Sequence, residues 1–372
     1  MAMQFETLNE VLDFRRSPHL ACTTTLIPRF ESIGVYLPEK VVTTQELIDQ
    51  MATAPQFDLE ALTGIHTRRW RGQQEDSYTL ARDAALKCLE KSQYQVSDLD
   101  MIVCCSITHF RGSFFQMIPS FSKNLKTDLG MRDTALNFDI TNACAGMLTG
   151  VSIVSNMIKS GAIKTGLVIS GECITPIAES AIREISEPID PQFASLTVGD
   201  AGAACIIDGG GNESEGIYEV SLMCLPEFAE LCIGQPSEQN AGVVMYTDAM
   251  SIHKEVIDRL PLYLSCLMES YGYSAEDIDF IIPHQTSARA IESAMELCLP
   301  LMQSSAGSGH EPEVLFSVGE FGNTASTSHF VVLYDKLKKG KIKPGSRILP
   351  IALASGIILG AMLITLGNLE VD

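Results

Sequence analysis

The chain has 372 residues, 46% of them hydrophobic and 19% charged, enough apolar material for a large core at a length of two or three ordinary domains. Gly and Pro are near average usage and no low-complexity tract appears, which argues against a largely disordered protein. The net charge of −20 repels phosphate backbones and anionic lipid, so neither nucleic acid nor a membrane is an expected partner.

Residues 1–21 are largely polar and carry Arg15 and Arg16 with no apolar stretch behind them, so they are not read as a signal peptide and are given no role. The clearest elements that follow are a helix over 77–91, short apolar strands over 101–106 and 135–140, a helix over 145–159 and a strand over 167–171. Then come a helix over 252–271, a strand over 280–283, a helix from about Ala288, a helix over 324–339 and a strand over 348–354. The apolar run 356–366 is too short to span a bilayer and reads as another buried strand. Helices alternating with fully apolar strands imply an α/β protein with a mostly parallel sheet covered on both faces. Cys88, Cys104, Cys105, Cys205 and Cys298 sit in such apolar runs, and none of the eleven cysteines forms a zinc-type pair. They read as reduced core residues of a cytoplasmic protein, with neither metal nor cofactor expected.

The chain also repeats itself. The acidic turn and strand at 97–103 recur at 276–282, with Asp277 lying 179 residues after Asp98. Lys159-Ser-Gly-Ala-Ile-Lys-Thr-Gly166 and Lys338-Lys-Gly-Lys-Ile-Lys-Pro-Gly345 share that offset. A looser pair, 86–92 and 264–270, is displaced by 178. Three matches in one order imply two homologous halves, residues 22–208 and 213–372.

The same offset carries Cys144 onto Asn323. Each follows an apolar strand and opens a helix that begins in small residues. On this reading the two are structural mates whose helix N-termini face one cavity. A thiol there is acidified, as a nucleophile for thioesters requires. His284 lies at the carboxyl end of the strand over 280–283, where parallel sheets place reactive groups, and serves as base or hydrogen-bond donor. Asn323 is a neutral donor suited to an enolate or oxyanion. Taken singly, the three also have plain roles as core thiol, strand-end histidine and helix cap.

Asp139-Ile-Thr-Asn-Ala-Cys-Ala-Gly-Met147, Pro283-His-Gln-Thr286 and Phe321-Gly-Asn-Thr-Ala325 resemble the three signatures of ketoacyl synthase III enzymes in the thiolase superfamily. Thr63-Gly-Ile-His66, Val198-Gly-Asp-Ala-Gly202 and Ser355-Gly-Ile-Ile-Leu-Gly-Ala361 fall where that family has comparable motifs. The resemblance runs from about residue 26 to the C-terminus. It implies a five-layered αβαβα fold of two duplicated halves, a homodimer and a triad of Cys144, His284 and Asn323. Cys144 would take an acyl group from an acyl carrier protein or acyl-CoA thioester. His284 and Asn323 would then stabilise the carbanion left when a malonyl-type extender loses CO2. The backbone N–H groups of Cys144 and Gly356 would form the oxyanion hole.

The sequence departs from the family where substrates bind. His284-Gln-Thr-Ser287 replaces the usual His-Gln-Ala-Asn, and Asp58 or Leu59 stands where an aromatic ring stacks on the CoA adenine, with Phe57 next door and Leu62 in place of its basic neighbour. Arg289 matches a position used for carrier docking, but Glu292 and Glu296 follow it, so docking would draw on Lys336, Lys338, Lys339, Lys341 and Lys343. The segments 108–119 and 172–196 are long, and their Phe110, Phe114, Phe115, Phe193 and Met117 are expected to line an acyl pocket. The reaction expected is decarboxylating Claisen condensation with a malonyl- or ketoacyl-type thioester, in fatty-acid or secondary-metabolite synthesis. The alternatives are acyl transfer to a hydroxyl or amine, and an inactive carrier-binding homologue.

Overall fold

The computed structural model describes residues 26–112, 114–187, 189–303 and 309–372. Residues 1–21, and the first four residues of the expected first half, lie outside the described part.

In chain order the first half contains β1 (Ile27–Tyr36), β2 (Val41–Thr43), α1 (Thr44–Ile48), α2 (Leu59–Thr63), β3 (Thr67–Arg69), α3 (Ser77–Glu90) and β4 (Met101–Cys104). It continues with β5 (Phe110–Arg111), β6 (Phe114–Phe115), α4 (Phe121–Leu129), β7 (Leu136–Asp139), α5 (Gly146–Lys159), β8 (Thr165–Glu172), α6 (Thr175–Glu184) and β9 (Ala201–Gly211). The second half has β10 (Gly216–Cys224), β11 (Cys232–Pro236), β12 (Val243–Thr247), α7 (Ala249–Tyr271), β13 (Phe280–Pro283) and α8 (Ala288–Met302). It ends with β14 (Glu313–Val314), α9 (Val318–Phe321), α10 (Ser328–Lys338), β15 (Arg347–Ala354) and β16 (Ile358–Thr365).

Two five-stranded sheets result, ordered β1-β9-β8-β4-β7 and β10-β16-β15-β13-β14. The order is the same once each strand is matched to its counterpart, so the duplication read from short sequence matches extends through the topology. Each sheet is parallel except for one reversed strand, β9 or β16, which runs antiparallel to both its neighbours.

Both faces of each sheet are buried, and the side chains sort by the strand's two-residue period. Met101 and Val103 point into one apolar cluster, Ile102 and Cys104 into another. The cluster on the outer face of the first sheet also holds residues of α3 and α4, and that on the outer face of the second sheet residues of α7 and α8. Between the sheets lie α5 and α10, which contribute Leu148, Val151, Phe330 and Leu333 to the central cluster. The layers therefore run helix, sheet, helix, sheet, helix. The central helices are apolar nearly all round, as full burial demands; residues 328–335 of α10 are all buried.

Phe330 ties the halves together, its ring edge-on to Phe30 of β1 at 5.8 Å and 87°. Phe330→Ala should destabilise the protein by about 3–5 kcal/mol through lost burial and a central cavity, measured by denaturant unfolding. A Phe30→Ala, Phe330→Ala cycle should return a coupling of about 0.5–1.5 kcal/mol.

Candidate active site

The turn that bears Cys144 is built by sequence choices on both sides. Asp139, at the end of β7, accepts the N–H groups of Phe121 (2.8 Å) and Ser122 (2.9 Å) and so anchors the start of α4. The chain then enters a 3-10 turn, Ala143–Ala145, with Ala143 at φ +46°, a left-handed conformation that strains a non-glycine residue by about 1–3 kcal/mol. Helix α5 begins at once with Gly146. A Cβ there would stand 2.7 Å from the Cys105 carbonyl, so only glycine lets this helix start against the end of β4.

The second half repeats the device at Ala325–Thr327, with Ala325 at φ +52° and α10 beginning at Ser328. Counted from these matching strained alanines, the mate of Cys144 is Ser326, not Asn323. The offset is 179 at β4 and β13 and again where the central helices end, but 182 at the turns. The second half inserts α9 before its turn and then shortens the following helix, α10 having 11 residues against 14 in α5. The insertion and the shortening cancel, which hid the slip from a comparison of flanks. The helix expected over 324–339 is likewise split into the 3-10 turn and α10.

Asn323 lies on the same turn, three residues before Ser326. Its backbone pairs with the segment around Val198: its N–H donates to Thr197 O (2.9 Å) and its carbonyl accepts from Gly199 (3.0 Å). Asn323 Oδ1 accepts the N–H of Ala325 at 2.9 Å, which leaves Nδ2 as the free, donating end of the amide. The two turns pack against each other, and the Cys144 turn also packs against β15. The loop that follows β15 carries Gly356 at φ +116°. Among the described residues no protein acceptor takes the N–H of Cys144 or of Gly356.

His284 follows β13 and is buried, its N–H bonded to Ile351 O of β15 at 2.8 Å. Its Nδ1 is buried with no hydrogen-bond partner. A proton on that nitrogen would bury an unsatisfied donor at a cost of about 1–3 kcal/mol, so the neutral ring carries its proton on Nε2. Burial, and secondarily the neighbouring His329, lowers the His284 pKa to about 3. The ring is neutral throughout the physiological range.

Two residues that the sequence reading passed over lie at this site. Glu172, the last residue of β8, is fully buried. Its carboxyl accepts from Ile107 N (3.0 Å), Ser170 Oγ (3.1 Å), Thr108 Oγ1 (3.3 Å) and, across the join, Ser326 Oγ. A lone carboxylate closing an eight-residue apolar strand was the signal available. His329, in the first turn of α10, stacks tilted on His284 and is masked in the sequence by its apolar neighbours.

Other expectations need correction. Cys144 is not acidified: burial pushes its thiol pKa up, and Cys232 and Glu172 add to that. The half-buried thiol is protonated at neutral pH despite standing before a helix N-terminus. Phe114 and Phe115 are 78% and 52% exposed on the β5–β6 hairpin, and Phe110 packs beside Leu80 and Cys173; none belongs to the apolar cluster that includes Cys144. Phe193 does belong to it, and meets Phe57 edge-on at 5.1 Å. Phe57 is thereby turned inward, while Asp58 caps α2 by accepting the N–H of Ala61. Arg289 is exposed at the start of α8 beside the Gly64 turn. The lysines expected to join it lie on another element, at and beyond the C-terminal end of α10. Lys336 and Lys339 pair with Asp335, and Lys341 with Glu313.

Residues 138–226 match the family 3-oxoacyl-[acyl-carrier-protein (ACP)] synthase III, and residues 268–366 its C-terminal family, together about half of the chain. The chain is 28% identical over 332 residues to the beta-ketoacyl-[acyl-carrier-protein] synthase III of Neorickettsia sennetsu, covering 89% of this chain and 96% of that one. It is 26% identical over 337 residues to the enzyme of the same name in Listeria innocua, covering 90% and 98%. Among solved structures it resembles an OleA variant of Xanthomonas campestris (TM-score 0.78, 21% identity, 91% and 98% covered). It also resembles the synthase III FabH of Pseudomonas aeruginosa (0.76, 20%, 92% and 99%). Similarity along nearly the whole length, with the same two-sheet fold, leads to one statement: the chain belongs to the ketoacyl synthase III-like condensing enzymes of the thiolase superfamily.

Proposed function

We propose that the enzyme loads an acyl group onto Cys144 and condenses it, with loss of CO2, with a malonyl-type thioester. The observation that carries this reading is a set of donors without protein acceptors among the described residues, on the two packed turns, the loop after β15 and the end of β13: the N–H groups of Cys144 and Gly356, Nδ2 of Asn323 and Nε2 of His284. Aimed at a carbonyl on which negative charge develops, such donors stabilise the transition state more than the ground state.

In the first step the Cys144 sulfur attacks the thioester carbonyl, the carbon–sulfur bond to the carrier breaks, and the thiol proton ends on the departing sulfur. The amides of Cys144 and Gly356 hold the oxyanion. In the second step the extender loses CO2, and its thioester oxygen takes the developing enolate charge against His284 and Asn323. The enolate carbon then attacks the acyl–Cys144 carbonyl, the carbon–sulfur bond to Cys144 breaks, and the departing thiolate takes up a proton from water. A neutral His284 suits this, because it donates without needing a proton from solvent. The carrier thioester approaches past Arg289, and the functional unit is a homodimer whose contact covers Phe114 and Phe115.

Incubated with acyl-CoA and acyl-carrier thioesters of graded length, the protein should gain one acyl mass on Cys144, and Cys144→Ala should gain none. With malonyl thioester added, CO2 should be released, and Asn323→Ala should slow that release by about 10²–10³-fold. Acyl transfer without CO2 would favour the hydroxyl or amine acceptor; no adduct with any donor would end the enzyme reading.

The elevated thiol pKa gives a pH test with a definite sign. The thiolate fraction is small at neutrality and grows as pH rises, so alkylation of Cys144 by iodoacetamide should climb about tenfold per pH unit up to pH 9 without a plateau. A plateau already reached at pH 7 would show an acidified thiol instead.

Arg289→Glu should raise the KM for an acyl-carrier thioester by about tenfold or more, in a salt-dependent way, and leave that for the matching acyl-CoA nearly unchanged. Equal effects on both would remove Arg289 from carrier docking.

A further inference from the structure

His329 is a second histidine at the same strand ends, and packing does not account for it. It is 2% exposed, and Ile282, Phe330, Leu333, Pro350 and Met362 surround it among other apolar side chains. An aliphatic residue would fill that position without burying a polar ring. Its polar contacts lead to His284. Nε2 of His329 donates to Ile351 O at 2.9 Å, and that carbonyl also accepts the His284 backbone N–H at 2.8 Å. The two rings lie 5.9 Å apart at 35°. Nδ1 of His329, like that of His284, is buried without a partner.

We propose that His329 is a positioning residue for His284, setting through the shared Ile351 carbonyl and through ring contact the angle at which His284 presents Nε2–H to the extender. The carbonyl has two lone pairs, and the two histidines use both, so the end of β13, the middle of β15 and the start of α10 are tied at one oxygen. That tie also links His284 to the turn carrying Asn323, six residues before His329 in the same polypeptide run. The His329 ring packs beside the His284 ring, whose Nδ1 is buried, and so helps to keep the Nε2–H tautomer. Burial holds His329 itself neutral, with a pKa lowered to about 4, so it adds no charge at working pH.

The inference rests on the reading of His284 as donor in the condensing step, and its test separates the two. His329→Leu keeps the volume and removes the hydrogen bond; His329→Gln keeps a donor that reaches Ile351 O. With lauroyl-CoA as acyl donor and carboxyl-labelled malonyl-acyl carrier protein as extender, the Leu variant should release CO2 about 10–100-fold more slowly at unchanged KM. Acylation of Cys144 should fall no more than about threefold, and Gln should restore most of the CO2 rate. In protein with 15N-labelled histidine, the His284 ring signals should change from a single Nε2–H tautomer to a mixture in the Leu variant and stay single in the Gln variant. The NMR readout needs no substrate. Unchanged His284 signals in the Leu variant would overturn the proposal. So would acylation and CO2 release falling together in step with thermal stability. Wild-type protein that releases no CO2, with His284 signals that still change in the Leu variant and stay single in the Gln variant, would count against the condensation reading and leave the positioning role standing.

Discussion

The carboxyl of Glu172 receives hydrogen bonds from the Ile107–Thr108 loop of the first half and from Ser326 of the second, in a place that water does not reach. This one group bonds the strained turn of the second half to the first half. Removing it would leave several buried donors unpaired, each at about 1–3 kcal/mol, at the point where the halves meet. Burial raises its pKa above the ordinary glutamate value, opposed first by the Ser326 hydroxyl and then by its other donors. A carboxyl with that balance acts as a hub for hydrogen bonds more than as a charge.

The same dryness governs the reactive groups. His284 and His329 are held neutral, and the Cys144 thiol is held protonated, because burial disfavours the charged form of each. What the site offers instead is oriented dipoles: backbone N–H groups at a helix start and a glycine turn, one amide and one neutral imidazole. Such donors need no reorganisation as charge develops, and a low local dielectric strengthens them. The resting protein pays for this arrangement with two alanines in left-handed conformations, one in each half.

Duplication explains why the pieces come in pairs, and the differences between the copies explain why the two turns present different side chains. Both halves put a strained alanine and a 3-10 turn before their central helix. The first half follows its alanine with Cys144, the second with Ser326, whose hydroxyl is taken up by Glu172 and Ser170. The insertion of α9 and the chain just after it then bring Asn323 alongside, bonded to the Val198 segment of the opposite half.

Much of this was legible in the sequence. The apolar strands, the order of elements, the two halves and the three signature residues follow from hydrophobic periodicity and from short motifs, because burial on both sheet faces demands apolar runs that survive in any context. The small residues after Cys144 also marked a helix start, which Gly146 provides. The sequence did not determine which residues are mates across the join, since equal offsets at the flanks conceal an insertion balanced by a shortened helix. Nor did it determine that Phe114 and Phe115 are exposed while Phe193 and Cys144 pack against one apolar cluster, or that the thiol is raised and not lowered in pKa. Those outcomes depend on what lies nearby in space: the side chains packed around the thiol, the imidazole of His329 beside that of His284, and the carboxyl of Glu172 bonded to Ser326. Periodicity reports whether a position is buried. Only the tertiary structure decides which partners surround it, and burial with those partners sets charge state, orientation and reactivity.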